Sequence, residues 1–280
     1  MDTTTQTTHT YTFTEDDLVA LEVKNHSGDI ATFFDAPDGT AEVTLSCPRP
    51  VDFEPVTAVS QRGRVLVDIP ALIGPDGGGR GFSLSIGAFS IGTGHEPVHV
   101  EVHLPRGTEL KASTKNGDVV LQGVGGTAAV RSGSGDLSIE EVGALRAATG
   151  SGDVRVGQLA AGSVTSGSGD IVVDRSTGPD PLEVRSGSGD ISIAESHQDT
   201  TIATGSGDVE VGHARGELAV RTGTGDVQVR VPRGIPVWLD LSSGIGEVRR
   251  DIDGVGAPED DQDFLRVSVR TGTGDIAVQH

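Results

Sequence analysis

The sequence is poor in nearly everything that usually anchors a compact mixed domain. In 280 residues it has one cysteine, Cys47, one tryptophan, Trp238, and one tyrosine, Tyr11. A lone cysteine makes no internal disulfide, so nothing ties the fold to an oxidising compartment, and Cys47 reads as a small buried hydrophobe in the strand-like AEVTLSC. The same scarcity of aromatics, with only seven Phe besides, leaves no ring platform of the kind on which sugars stack in β-helix lyases and hydrolases. Trp238 itself precedes an inward-looking LDL and reads as core or as a plug at the end of a stack.

Long apolar runs are missing too. No window approaches the roughly 18 apolar residues that a membrane-crossing helix needs. The N-terminus, MDTTTQTTHTYTFTEDD, has neither a basic segment nor an apolar run, which argues against a secretory leader. A cytoplasmic protein without an integral membrane segment is therefore expected, with a non-classical export route left open. Positive charge is scarce as well: 21 Lys and Arg face 41 Asp and Glu, a formal charge of -20. Such a surface repels phosphate backbones, so no nucleic-acid partner is expected. Apolar residues at i, i+3 and i+4 form no stripe, which removes amphipathic helices.

Glycine, by contrast, is abundant, with 41 residues and no Gly-X-Y period. It returns in a phrase: VRSGSGDLSI at 130–139, VRSGSGDISI at 184–193 and VRTGTGDVQV at 220–229. Copies align on Asp118, Asp136, Asp153, Asp170, Asp190, Asp208, Asp226 and Asp275, the first seven separated by 18, 17, 17, 20, 18 and 18 residues. A period that steady signifies stacked structural units.

Aliphatic residues stand one and three places after each Asp, from Val119 and Leu121 to Ile276 and Val278. Six places before it stand Ala112, Val130, Ala147, Val164, Val184, Ile202, Val220 and Val269. This period of two, on both sides of the glycine phrase, describes two short strands with one buried face each. A Ser or Thr always stands four places before the Asp, with inward parity; its hydroxyl is expected to bond the next unit or the turn backbone, because a buried unpaired hydroxyl costs roughly 1–3 kcal/mol. Glycines before the Asp, such as Gly133 with Gly135, mark a corner that needs positive φ or has no room for Cβ. Gly143, Gly157 and Gly212 suggest a second, shorter turn. The predicted fold is all-β: a single-stranded parallel β-solenoid of about 18 residues and two main strands per rung, with rungs at the sheet spacing of about 4.8 Å. Right-handed crossover is the prior for its coil.

The T/S-G-x-G-D-hydrophobic-x-hydrophobic phrase resembles that of the bacterial DUF4097 family of adhesin-like β-strand-repeat proteins. The likeness extends to the entries HLPRGTELKASTKNGDV (103–119) and RVPRGIPVWLDLSSGIGEV (230–248), and to the opening LVALEVKNHSGDI (18–30). It covers most of residues 18–280 and implies a parallel β-helix-like fold with a surface or scaffold role. No catalytic residues come with it. Many relatives are membrane-attached, and this chain departs from them in showing no anchor.

Residues 1–17 are expected to be a frayed tail, 18–105 to form N-terminal rungs and a cap with a glycine-rich loop at 71–81, and 106–280 to form the regular solenoid. After Asp226 the period lengthens: Glu247 takes the Asp place in SSGIGEV, and an acidic insertion, 249–263, precedes the last copy.

Four groups of residues are candidate sites. Stacked, the corner aspartates Asp118, Asp136, Asp153, Asp170, Asp190, Asp208, Asp226 and Asp275 would line up like charges that could recruit calcium or another cation. The competing reading is a turn-capping acceptor on a solvated edge, favoured because calcium-binding β-rolls place a residue between Gly and Asp and carry metal turns on both edges. Arg131, Arg185, Arg221 and Arg270, five places before Asp, point outward and would offset the acidic edge as exposed ion pairs. His99, Glu101 and His103 share one strand face, but alternate side chains of a flat strand stand roughly 6.6 Å apart, too far to share one ion without a bend. Asp251 and Asp253 resemble a calcium loop only in part.

Three functions follow: a non-enzymatic structural or protein-interaction scaffold, with a protein partner or further copies of itself; a cation-binding solenoid; and a polysaccharide-active β-helix enzyme. The first is preferred, because repetition comes without a pocket signature, a cofactor motif or a nucleophile motif.

Overall fold

Val, Ile and Leu at alternate positions, separated by glycine corners, give strands and nothing else. The computed structural model describes residues 6–74, 84–86, 89–91, 95–252 and 264–280, and every regular element in it is a β-strand. The chain divides into two compact units, Met1–Ser134 and Gly135–His280.

In the second unit, strands from successive copies of the phrase pair in parallel. Leu137 lies beside Val154, Val154 beside Ile171, Ile171 beside Ile191 and Ile191 beside Val209. The strands before the corners do the same: Val164 lies beside Val184, Val184 beside Ile202 and Ile202 beside Val220. Aliphatic side chains therefore pile on their equivalents, and Val164, Ile171, Val173, Leu182, Val184 and Ile202 are fully buried. Burying each such side chain contributes about 1.5–3 kcal/mol, and this row of repeats is the core. The predicted all-β, parallel, solenoid-like arrangement is what the ladder shows.

At the second bend the strand does not always break. Leu137–Ser151 and Val154–Ser168 run through it, with Val142 beside Leu159 and Ala144 beside Ala161. These two copies are equally long, so their ladder stays in register. Where a copy lengthens, with Gly178 and Pro181 in between, the strand splits into Ile171–Ser176 and Leu182–Ser188.

Spatial order departs from chain order at the end. Leu218–Thr224 pairs not with the next strand in sequence but with Leu265–Thr273, which in turn pairs with Val237–Ile245. Val227–Arg230, Ile276–Gln279 and Val248–Asp251 follow the same order. The last copy thus sits between the Asp226 and Glu247 copies. Arg250 explains it: three places after Glu247, where other copies bury an aliphatic side chain, it stands exposed, so this copy is tolerated only at an outer position. The remainder of the 249–263 insertion, including Asp253, lies outside the described residues, as does most of the 71–81 loop.

In the first unit two rows meet the strand Val119–Ser134. Thr57–Gln61 pairs antiparallel with Arg64–Ile69, then Ala20–Asn25, Glu109–Asn116 and Val119–Ser134 continue in parallel. Gln6–Thr14 pairs antiparallel with Thr40–Val51, then His99–His103, Ile30–Phe33 and Val119–Ser134 follow. Residues 6–14, expected to be frayed, are thus a strand. Thr-rich and polar, they pair through backbone, Phe13 beside Ala41 and His9 beside Leu45, which composition alone did not show.

Candidate functional site

Each corner is built by three residue types acting on the neighbouring coil. The glycine before the Asp turns the chain: Gly169 has φ +140°, and a Cβ there would stand 2.2 Å from the carbonyl oxygen of Gly152. Gly167, two places earlier, needs no left-handed φ, but a Cβ would come within 2.5 Å of the Gly150 oxygen. Both expected reasons for glycine hold, one at each position.

The Ser or Thr four places before Asp reaches the adjacent corner. Ser166 Oγ donates to the Gly152 carbonyl at 3.0 Å, Thr149 to Gly135 at 3.0 Å and Thr271 to Gly225 at 3.1 Å. In the first unit Ser132 donates to Gly117 at 2.9 Å and Thr114 to Gly28 at 3.0 Å. These hydroxyls satisfy themselves at the edge of the core.

The aspartate does the converse. Its own N–H has no strand partner at the corner, and the carboxylate of the neighbouring Asp supplies one. Asp153 N–H donates to Asp136 Oδ1, Asp170 to Asp153, Asp190 to Asp170, Asp208 to Asp190 and Asp226 to Asp208, all at 2.7–2.9 Å. The series continues with Asp275 on Asp226 and Glu247 on Asp275, at 2.7 and 2.8 Å. In the first unit Asp118 N–H donates to Asp29 Oδ1 at 2.9 Å. One oxygen of each of these acceptor carboxylates is therefore a backbone cap. Among the described residues no group of three or more His, Cys, Asp or Glu is placed to hold a metal ion.

Asp29 is a further corner that the alignment missed. It lies 89 residues before Asp118 and its phrase, NHSGD, lacks the first glycine; Asn25 takes the Ser/Thr place and donates from Nδ2 to the Val98 and Gly28 carbonyls at 2.7 and 3.1 Å. The signal was the SGDI phrase that closes LVALEVKNHSGDI.

The other candidates separate. Arg185 pairs with Glu183 on its own strand, and Arg270 with Asp240 of the neighbouring strand at 3.1 Å. Their partners are strand carboxylates rather than corner aspartates. His99 and His103 do not converge on one point: His99 Nδ1 lies 3.1 Å from Asp29, while His103 Nδ1 lies 2.7 Å from Asp35 and its Nε2 3.0 Å from Glu101. The His103 ring stacks on Phe33 at 5.1 Å. Hydrogen bonds first to Asp35 and then to Glu101 raise the His103 pKa above the usual histidine value, against a smaller desolvation. Asp251 ends an exposed strand.

Trp238 is neither core nor plug. It points outward, 61% exposed, because it shares parity with Asp240 rather than with Leu239 and Leu241. Cys47 is buried as expected, and burial first, with Glu96 second, pushes its thiol pKa up to about 11. An open cleft of about 290 Å³ lies beside Tyr11, Phe53 and Asp52, with His9 4.5 Å from Tyr11. It was invisible in sequence because the 6–14 strand was.

Together these features define a parallel β-solenoid-like repeat protein whose signature residues build corners. The chain belongs to the DUF4097 family: the family model, Toastrack DUF4097, matches residues 81–279. No curated protein matches the sequence. Solved structures similar to it include a "putative lipid binding protein" from Parabacteroides distasonis, at 13% identity over 98% of this chain and 97% of that one, with a TM-score of 0.44. A "putative adhesin" from Parabacteroides merdae aligns at 13% identity over 98% and 97%, with a TM-score of 0.37. A "putative cell adhesion protein" from Clostridium sporogenes aligns at 8% identity over 99% of both chains, with a TM-score of 0.26.

The cytoplasmic expectation is corrected by these findings. The similar structures are described as a putative adhesin and a putative lipid binding protein, descriptions that do not point to the cytoplasm. The expectation rested on a missing leader and a missing apolar span, which describe targeting segments and not where a folded repeat domain works. No helix among the described residues is long and apolar enough to cross a membrane.

Proposed function

We propose that this chain is a non-enzymatic, adhesin-like scaffold that binds a protein partner or further copies of itself. Its coil is right-handed, with about 18 residues per rung, residues 18–105 forming N-terminal rungs and a cap and 106–280 the regular stack with its acidic insertion at 249–263. The observation that carries this reading is the commitment of the most repeated acidic groups to backbone capping, with Asp190 N–H on Asp170 Oδ1 at 2.8 Å as one instance. Residues repeated for corner geometry leave the flat outward faces free to vary, which is how repeat proteins gain binding surfaces. Family membership and the adhesin descriptions of similar structures support the same reading.

The test is saturable binding of the purified protein to intact bacterial cells and to isolated envelope proteins, run beside a panel of polysaccharides. Saturable binding without release of sugar ends is the expected result. Sugar release would overturn it, and a calcium-dependent rise in melting temperature would assign the corner aspartates to cation binding instead.

A further inference from the structure

The Val237–Ile245 strand has a partner, Leu265–Thr273, along one edge only; its other edge carries no strand among the described residues. Exposed strand edges invite another chain unless something blunts them. Along Val237–Ile245 the only charge is Asp240; the inward-position Arg250 stands on the coil's other strand, Val248–Asp251. Of nine exposed large hydrophobic residues among those described, Ile235, Trp238, Ile245, Val248 and Phe264 belong to this coil or begin its neighbour. Two of them break the repeat pattern. Ile245, 72% exposed, occupies the corner position that is Ser134, Ser151, Ser168, Ser188, Ser206, Thr224 or Thr273 in other copies. Trp238 occupies an outward position that is Thr127, Ala144, Ala161, Glu217 or Arg266 elsewhere.

The edge does not continue the stack head to tail. From Asp136 onward each corner Asp caps the N–H of the next coil, and here the residue is Glu247, whose carboxylate instead accepts from Arg249 at 2.6 and 3.1 Å. The capping series ends where the chain writes Glu. In the first unit, moreover, the rows finish in antiparallel strands, Thr57–Gln61 and Gln6–Thr14, which offer no parallel corner edge to receive it.

The strand VWLDLSSGI is, however, complementary to itself read backwards. Antiparallel pairing about Leu241 sets Leu241 opposite Leu241 of a second copy, Val237 opposite Ile245, Asp240 opposite Ser242, and Trp238 opposite Gly244. The last pair is favourable because a ring can lie over a strand glycine that has no side chain of its own. Shifting the register by two residues in one direction sets Asp240 against Asp240, like charges directly opposed. Shifting it the other way sets Trp238 against Gly246, where the backbone has turned out of the strand at φ +150°. The chosen pairing also sets Glu247 of one copy, already held by Arg249, opposite Ile235 of the other, two residues from the exposed Arg233, which has no ion pair among the described residues.

We infer that the Val237–Ile245 edge is a homodimer interface, closed by two-fold antiparallel pairing with the same edge of a second copy. The inference names the partner within the scaffold reading and rests on that reading only for there being a partner; cell binding and oligomeric state are separate measurements, so either can fail alone.

Sedimentation equilibrium of the full chain over a concentration series should give a monomer–dimer equilibrium with no larger species. Trp238→Thr with Ile245→Ser, both at exposed positions, should weaken the dimer by at least tenfold while leaving the thermal transition in place. In a Leu241→Cys variant, mild oxidation should yield a covalent dimer linked through residue 241, Cys47 being buried, whereas Ser242→Cys should link far less. A monomer at every concentration, open-ended polymers, a dimer untouched by the double substitution, or equal linking at both positions would overturn the inference.

Discussion

Asp190 donates its backbone N–H to the carboxylate of Asp170 at 2.8 Å across twenty residues of chain, and the same bond recurs from corner to corner. It converts a side chain that looks like a metal ligand in sequence into a replacement for a missing backbone acceptor. Removing that acceptor should be felt in stability. Asp170→Ala is expected to cost about 1 kcal/mol, the usual price of a lost capping acceptor, whereas Asp170→Asn, which keeps an acceptor oxygen, should cost less than half as much. Urea unfolding of both variants distinguishes capping from charge, since a charge effect would make the two alike.

Gly169 and Gly167 should differ under the same substitution. Gly169→Ala meets both a left-handed φ and a backbone oxygen at 2.2 Å, and Gly167→Ala meets only an oxygen, at 2.5 Å. Roughly 3 kcal/mol or more is expected for the first and distinctly less for the second. Thermal melts of the pair measure it.

His103 gives the first unit a pH-dependent increment. Its folded pKa is raised by the Asp35 and Glu101 bonds, so the added stability is fully present below the unfolded value of about 6.5 and is lost as pH rises through the higher folded value. Unfolding measured across that window should show the loss, and His103→Gln should flatten it. NMR titration with Asp35→Asn should move the His103 midpoint down.

Cys47 should stay silent toward thiol reagents in the native protein at neutral pH, since burial pushes its pKa up to about 11 and only the thiolate attacks. Full labelling is expected once denaturant unfolds the Thr40–Val51 strand. Rapid labelling without denaturant would contradict the packing.

Much of this was legible in sequence because a period of two leaves little freedom. Val119, Leu137, Val154 and their equivalents stand buried where parity put them, and Ser166 and Thr149 bond where a core-edge hydroxyl must. Parity also places Trp238, even-numbered beside Leu239 and Leu241, on the outer face, against the inward reading that its hydrophobicity suggests. Strand order was harder to read. Arg250 at a core position marked its copy as an outer one, but chain order offered a simpler path. The 6–14 strand depends on partners about 35 residues away, a range over which local pattern carries no information, while the Asp29 corner showed only its short SGDI phrase because its partner lies 89 residues on.

The placement of Leu265–Thr273 inside the Val237–Ile245 strand has a consequence for biosynthesis. In the second unit, the coils from Asp136 to Asp226 can settle one upon another as they leave the ribosome, each finding the previous coil already in place. The coil around Glu247 cannot, because the strands it rests on are the last to be made. Until residues 265–279 are made, its Leu239 and Leu241 lack the strand they pack beside in the finished chain, and a chain that stops short of residue 265 forfeits that arrangement along with the last coil.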